Sequence, residues 1–139
     1  MNTTNICIFG DSIAYGAWDE GGGWVDRLRG MCGVERRNRG RRGARGQGRA
    51  GTPQVPDTVF TENMKKILAE AKRLAETVVV VGLTPVDEVL TMPFEEDVFF
   101  AQKNVERYDA GLQKCAALAG VRYVPVWKAL DAKKDLEDG

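Results

Sequence analysis

The sequence predicts an α/β fold, a parallel sheet with helices on both of its faces, and three observations predict it. Short apolar or β-branched runs at Asn5–Phe9, Thr77–Val81 and Val121–Val126 are each bounded by turn residues, as buried strands are. Two long segments between them, Val55–Leu74 and Asp97–Ala119, place apolar residues at helical spacing. Strands that alternate with amphipathic helices are joined by right-handed crossovers, and the compact solution is three layers, α/β/α.

The elements follow in order. Asn5–Phe9 (NICIF) is an apolar run stopped by Gly10-Asp11, the signature of a strand leaving a sheet into a turn. Gly22–Arg29 begins a helix with Trp24, Val25 and Leu28 on one face. From Gly30 to Ala50 glycine and arginine dominate and no periodicity survives. With little to bury against the entropy of ordering, that stretch is expected to be irregular. Pro56-Asp57-Thr58 opens a helix whose apolar stripe is Val59, Phe60, Met64, Ile67, Leu68, Ala71 and Leu74. Thr77–Val81 is β-branched throughout and ends at Gly82, which predicts a central strand buried on both faces. A loop containing Pro85 and Pro93 leads to the second long helix. Val121–Val126 is the last strand, and Lys133–Glu137 opens a short final helix.

Length and composition bound the function. The 139 residues make one domain, 1–139, with an irregular Arg/Gly-rich stretch at 31–50. Lysines and arginines balance aspartates and glutamates at a net charge of zero, which argues against a nucleic-acid or membrane-surface protein as a whole. The balance is uneven, however. Residues 31–50 hold seven arginines against Glu35 alone, so the window is about +6 and the remainder about −6. No leader or membrane-spanning run is legible, since none reaches the roughly eighteen apolar residues a span needs. Cys7, Cys32 and Cys115 are widely spaced and read as reduced thiols of a cytoplasmic protein. With no histidine and no paired cysteines, a bound metal is not expected.

Chemistry concentrates in Phe9-Gly10-Asp11-Ser12-Ile13-Ala14-Tyr15-Gly16. A serine just after a strand and before a helix can present its hydroxyl at the sheet's carboxyl edge, where ligands bind. The helix-start N–H groups nearby can hold an oxyanion. Turn chemistry alone also explains Gly-Asp-Ser. The wider context decides between the two. FGDSIAYG followed by Gly22-Gly23-Trp24-Val25-Asp26-Arg27-Leu28 closely resembles the first sequence block of the SGNH/GDSL hydrolase family. Val55–Leu74, the strand running into Gly82-Leu83-Thr84-Pro85-Val86-Asp87-Glu88, and Tyr123–Val126 with Leu136-Glu137-Asp138-Gly139 resemble that family in the same order. About four-fifths of the chain is covered.

The resemblance implies the SGNH fold, a three-layer α/β/α arrangement with a flavodoxin-like parallel sheet. It implies a serine ester hydrolase (esterase- or lipase-like) working through an acyl-enzyme, on small-molecule esters, with no cofactor. Ser12 matches the nucleophile, and its own N–H would contribute to the oxyanion hole. Asn38-Arg39-Gly40-Arg41-Arg42-Gly43 has the outline of the second block and makes Gly43 the oxyanion glycine. An Arg/Gly-rich stretch also yields that spacing by chance. Asp138 matches the acid of the Ser-His-Asp set. Apart from the resemblance, Asp11 next to Ser12 and Tyr15 close behind it are the candidate substrate-binding residues, shaping the site.

Two departures stand against these matches. The family's third block, a strand ending in G-x-N-D whose asparagine completes the oxyanion hole, has no counterpart. Asn63 is the nearest asparagine, and it sits inside a predicted helix. The sequence contains no histidine, and the resemblance stops at Asp138-Gly139, just ahead of where the family carries it. A serine hydroxyl without an adjacent base is a poor nucleophile. In a serine protease, loss of the histidine costs about 10⁶ in turnover and loss of one oxyanion donor roughly 10² to 10³. In the family's sheet order, 2-1-3-4-5, the missing strand lies between Asn5–Phe9 and Thr77–Val81. Low stability is therefore expected.

Alternatives remain at this stage. The chain can be a non-catalytic remnant, or a small-molecule binder using the same strand-end crevice. A phosphate binder at Gly10–Gly16 is disfavoured by Asp11. The Arg/Gly window reads as an out-of-frame or rearranged stretch, as a divergent second block, or as a nucleic-acid-contacting segment. The last is disfavoured because no aromatic residue is interleaved to stack on a base. Trp18 and Trp24 are packing residues or the lining of an acyl pocket. Asp87-Glu88 and Glu95-Glu96-Asp97 read as solvated carboxylates near the sheet's active edge. Sequence leaves oligomeric state open.

Overall fold

The structure, a computed structural model, describes residues 6, 8, 23–32, 55–92, 99–131 and 134. The chain divides into two compact units, Met1–Arg45 and Gly46–Gly139, with the boundary inside the Arg/Gly-rich stretch.

In the first unit the described element is helix α1, Gly23–Cys32. It covers the helix expected at Gly22–Arg29 and continues through Gly30-Met31-Cys32, where the sequence suggested a loop. Val25 and Leu28 are half-buried and Trp24 is more exposed. Of the expected strand Asn5–Phe9, Ile6 and Ile8 are described. Neither is in a strand, and Ile6 is exposed. The other residues of that run, Asn5, Cys7 and Phe9, lie outside the described residues.

The second unit contains helix α2 (Asp57–Leu74), strand β1 (Val79–Val81), the single turn α3 (Glu88–Thr91), helix α4 (Gln102–Ala119) and strand β2 (Arg122–Val124). The molecule is therefore of mixed α/β class, with a two-stranded parallel sheet in the register Val79↔Arg122, Val80↔Tyr123, Val81↔Val124. Parallel neighbours need a long crossover, and here α3 and α4 supply it.

Local chemistry sets the helix ends. Pro56 precedes α2 in an extended conformation and Asp57 sits in its first turn, while Lys72 and Arg73 occupy the last turn. Those charges complement the helix dipole at both ends. α4 starts without a cap from its own flank. Glu88 Oε1 instead accepts the Gln102 N–H at 2.9 Å from 14 residues away. At its other end Gly120 adopts φ +66°, the left-handed conformation that glycine accepts without penalty. There the Val121 N–H reaches Ala116 O at 3.0 Å and the Gly120 N–H reaches Ala117 O at 3.1 Å. The Lys72 ammonium donates to Ala119 O at 2.7 Å, tying the last turn of α2 to the end of α4.

α2 packs on α4, and β2 packs on α4 in turn. The Phe60 ring meets Tyr108 edge-on at 5.0 Å, and the Tyr108 hydroxyl donates to Val55 O. Arg107 lies over the same ring and reaches Asp57 at 3.4 Å. Leu68, Val80, Leu112, Cys115 and Ala116 are the buried apolar core among the described residues, with Phe60, Met64, Leu83 and Tyr123 packed around it.

Alternation places Val80 in that core and turns Val79 and Val81 to the other face of the sheet, where they are 47% and 51% exposed. The expectation of a strand buried on both faces is corrected here. The reason is that both long helices of this unit contribute to one core, on the Val80 side. Three residues of the predicted α2 stripe, Val59, Ile67 and Leu74, are exposed as well. The stripe in the sequence is wider than the surface α4 and the sheet present to it. Of the expected last helix, Lys134 is helical.

Candidate functional site

The carboxyl ends of β1 and β2 point the same way, as parallel strands must, and the chain beyond each end builds a crevice. After Val81 the segment Gly82–Asp87 runs without regular structure into α3. After Val124 the chain turns at Trp127–Ala129, where the Ala129 N–H bonds Val126 O at 2.8 Å. Between these segments lies a cavity of about 480 Å³ lined by the run Pro85–Val89 together with Gln102, Trp127, Leu130 and Asp131. A crevice outside the carboxyl ends of parallel strands is where open α/β sheets take ligands.

Its polar lining is tied into the fold. The Gln102 side-chain carbonyl accepts the Val86 N–H at 3.0 Å, while Glu88 accepts the Gln102 N–H. Asp87 Oδ1 accepts the Val89 N–H at 3.0 Å and so caps α3. The buried Thr91 hydroxyl lies 2.9 Å from Asp87 O and 3.0 Å from Phe100 O, closing the loop base. Asp131 sits 3.7 Å from the Lys134 ammonium. The carboxylates Asp87 and Glu88 are thus anchored to backbone N–H groups as well as facing solvent. No group of side chains that could hold a metal ion occurs among the described residues.

Behind the crevice wall lies a second, half-buried polar group. The Asp109 carboxylate accepts the Leu83 N–H at 2.8 Å and the Tyr123 hydroxyl at 2.7 Å to either oxygen. Burial first, and the neighbouring Asp109 carboxylate second, hold the Tyr123 hydroxyl well above the ordinary phenol range. Gly82 is buried against this group. A Cβ there would collide with the Tyr123 hydroxyl and come within 2.9 Å of Asp109 Oδ1.

Ser12, Asp11, Tyr15, Gly43 and Asp138, the positions that the sequence singles out for chemistry, lie outside the described residues. Asn63 lies on α2, exposed, in keeping with its place inside a predicted helix. Gln102 and Asp109 are not among the candidate positions, and Tyr123 enters only within the run Tyr123–Val126, although a signal was present. Gln102, Val105, Asp109, Leu112 and Ala116 recur at spacings of three and four along one stripe of α4. An acid and an amide on a core-facing stripe call for partners.

No family model matches the chain, and neither a curated protein nor a solved structure matches it. Among the described residues no helix is long and apolar enough to cross a membrane.

Proposed function

We propose that the chain is a serine ester hydrolase of SGNH/GDSL type by descent, with Ser12 as nucleophile and small-molecule esters as its substrates. The observation that carries this reading is the block Phe9–Gly16 followed by Gly22–Leu28, with Gly82–Glu88 after a strand in the family's order. Three features of the fold support it. The class is α/β, β1 and β2 are adjacent and parallel, and a crevice opens beyond their carboxyl ends next to Pro85–Glu88. The three-layer arrangement lacking a central strand belongs to the same proposal.

The reaction requires the Ser12 hydroxyl oxygen to bond the ester carbonyl carbon, its proton to pass to a base, and the alcohol to leave. Water then releases the acid from the acyl-serine. The sequence contains no histidine, the acceptor that the family resemblance calls for, so impaired turnover is part of this reading. Asp138 then has no imidazole to orient, and Gly43 would assist only if its N–H faces the oxyanion. No metal or cofactor takes part in this scheme. Cytoplasmic residence is part of the same reading.

A second reading is favoured by that missing base: the fold persists as a small-molecule binder without chemistry. Hydrolysis of a short-chain p-nitrophenyl ester by wild type and by Ser12→Ala separates the two. A faster wild type supports the hydrolase, and equal rates support the binder. Contact with nucleic acid through the 31–50 stretch would show as binding that weakens steeply with salt.

A further inference from the structure

The last sheet bond runs from the Gly82 N–H to Val124 O at 2.9 Å, and beyond it the crevice wall Leu83–Val86 is held by side chains. Two residues of α4 catch it. Asp109 accepts the Leu83 N–H at 2.8 Å and Gln102 accepts the Val86 N–H at 3.0 Å. Their spacings agree. Seven residues of helix span about 10.5 Å, and the three-residue step from Leu83 to Val86 spans about 10 Å when extended. The later helix residue holds the earlier wall residue, so the wall runs antiparallel to α4.

We propose that Asp109 and Gln102 are positioning residues that set the crevice wall Leu83–Val86 against α4 and thereby fix the shape of the binding site. The proposal rests on reading the crevice as a small-molecule binding site of the second unit. Asp109 does this from behind, without lining the cavity, while Gln102 is both a fastening and part of the lining. Tyr123 keeps Asp109 in place by donating to the same carboxylate. Gly82 leaves room for that group, since any side chain there would enter its space. Glu88 completes the arrangement by capping α4 at Gln102, so that wall and helix hold each other reciprocally.

Amide hydrogen exchange by NMR tests this without any ligand, in the full chain. The readings are the Leu83 and Val86 amides relative to Ala116 in the core of α4. Asp109→Ala is expected to speed exchange at Leu83, and Gln102→Ala at Val86, by about tenfold each relative to Ala116. Asp109→Asn keeps an acceptor oxygen in the same place, and its Leu83 amide should stay within about threefold of wild type. A role in overall stability alone would raise exchange at all three amides together, and that result overturns the proposal. So does an unchanged Val86 in Gln102→Ala, a half-buried position outside the apolar core. Local loss of protection in a chain with no Ser12-dependent ester turnover would uphold the wall's fastening and sink the hydrolase reading. Unaltered local protection sinks the fastening whatever the turnover.

Discussion

Gly82 is the residue after β1, and a methyl group added there has nowhere to go. Its Cβ would lie 2.9 Å from Asp109 Oδ1 and 3.0 Å from Tyr123 Cζ, with the Tyr123 hydroxyl closer still. The ring and the carboxylate are fastened to each other and to the Leu83 N–H, so relieving the clash means giving up at least one of those bonds. Overpacking in a filled site costs about 1–3 kcal/mol, and a hydrogen bond to a charged group is worth about 1.5–3 kcal/mol. Gly82→Ala should therefore destabilise the chain by roughly 2–4 kcal/mol, a large part of what a domain this size possesses. Urea denaturation of wild type, Gly82→Ala, Tyr123→Phe and the double variant measures it. Because Tyr123→Phe deletes the clashing oxygen, Gly82→Ala should cost at least about 1 kcal/mol less in that background. A Gly82→Ala variant as stable as wild type, or an identical cost in both backgrounds, would refute the argument.

The Tyr123 hydroxyl is held above its ordinary value of 10.0 in the folded state, so the folded chain retains a proton that the unfolded chain gives up. Its contribution is complete below about pH 10 and declines above it. Denaturation midpoints followed from pH 8 to pH 11 should fall, and Tyr123→Phe should flatten that fall. Leu112 stands on α4 in contact with a small core, and Leu112→Ala should cost about 2–5 kcal/mol and leave the second unit largely unfolded. Circular dichroism unchanged from wild type would contradict this. Exposed Val79, Val81, Ile67 and Leu74 mark apolar surface left out of that core, so wild type should melt below about 50 °C. A cooperative transition well above that temperature, followed by calorimetry, would count against it.

The sequence is readable wherever its pattern is periodic and local. α1, α2 and α4 fall where apolar spacing places them, and Val79–Val81 and Arg122–Val124 lie inside the two expected β-branched runs. What the pattern overstates is burial. A run of valines states that a strand forms, but whether both faces are covered depends on what else packs on the sheet, and Val79 and Val81 are half exposed. α4 begins at Gln102 rather than near Asp97, because its first N–H is capped by Glu88 from a distant segment that periodicity does not reveal. The crevice fastening was hidden for the same reason. Asp109 and Leu83 are 26 residues apart, and only the fold brings them together. Of the stretches that carry the family resemblance, Pro85–Glu88 lines the crevice, whereas Ser12, Gly43 and Asp138 lie outside the described residues.

Supplying the absent base tests the central claim most directly. Hydrolysis of a short-chain p-nitrophenyl ester would be followed with rising imidazole, for wild type and Ser12→Ala, the variant giving the background reaction of imidazole itself. An imidazole molecule seated beside Ser12 can take the proton that a histidine, absent from this sequence, would take. The account predicts wild-type turnover that climbs with imidazole and saturates, well above the Ser12→Ala line. Coincident lines at every imidazole concentration would contradict it, leaving the crevice as a binding site without chemistry.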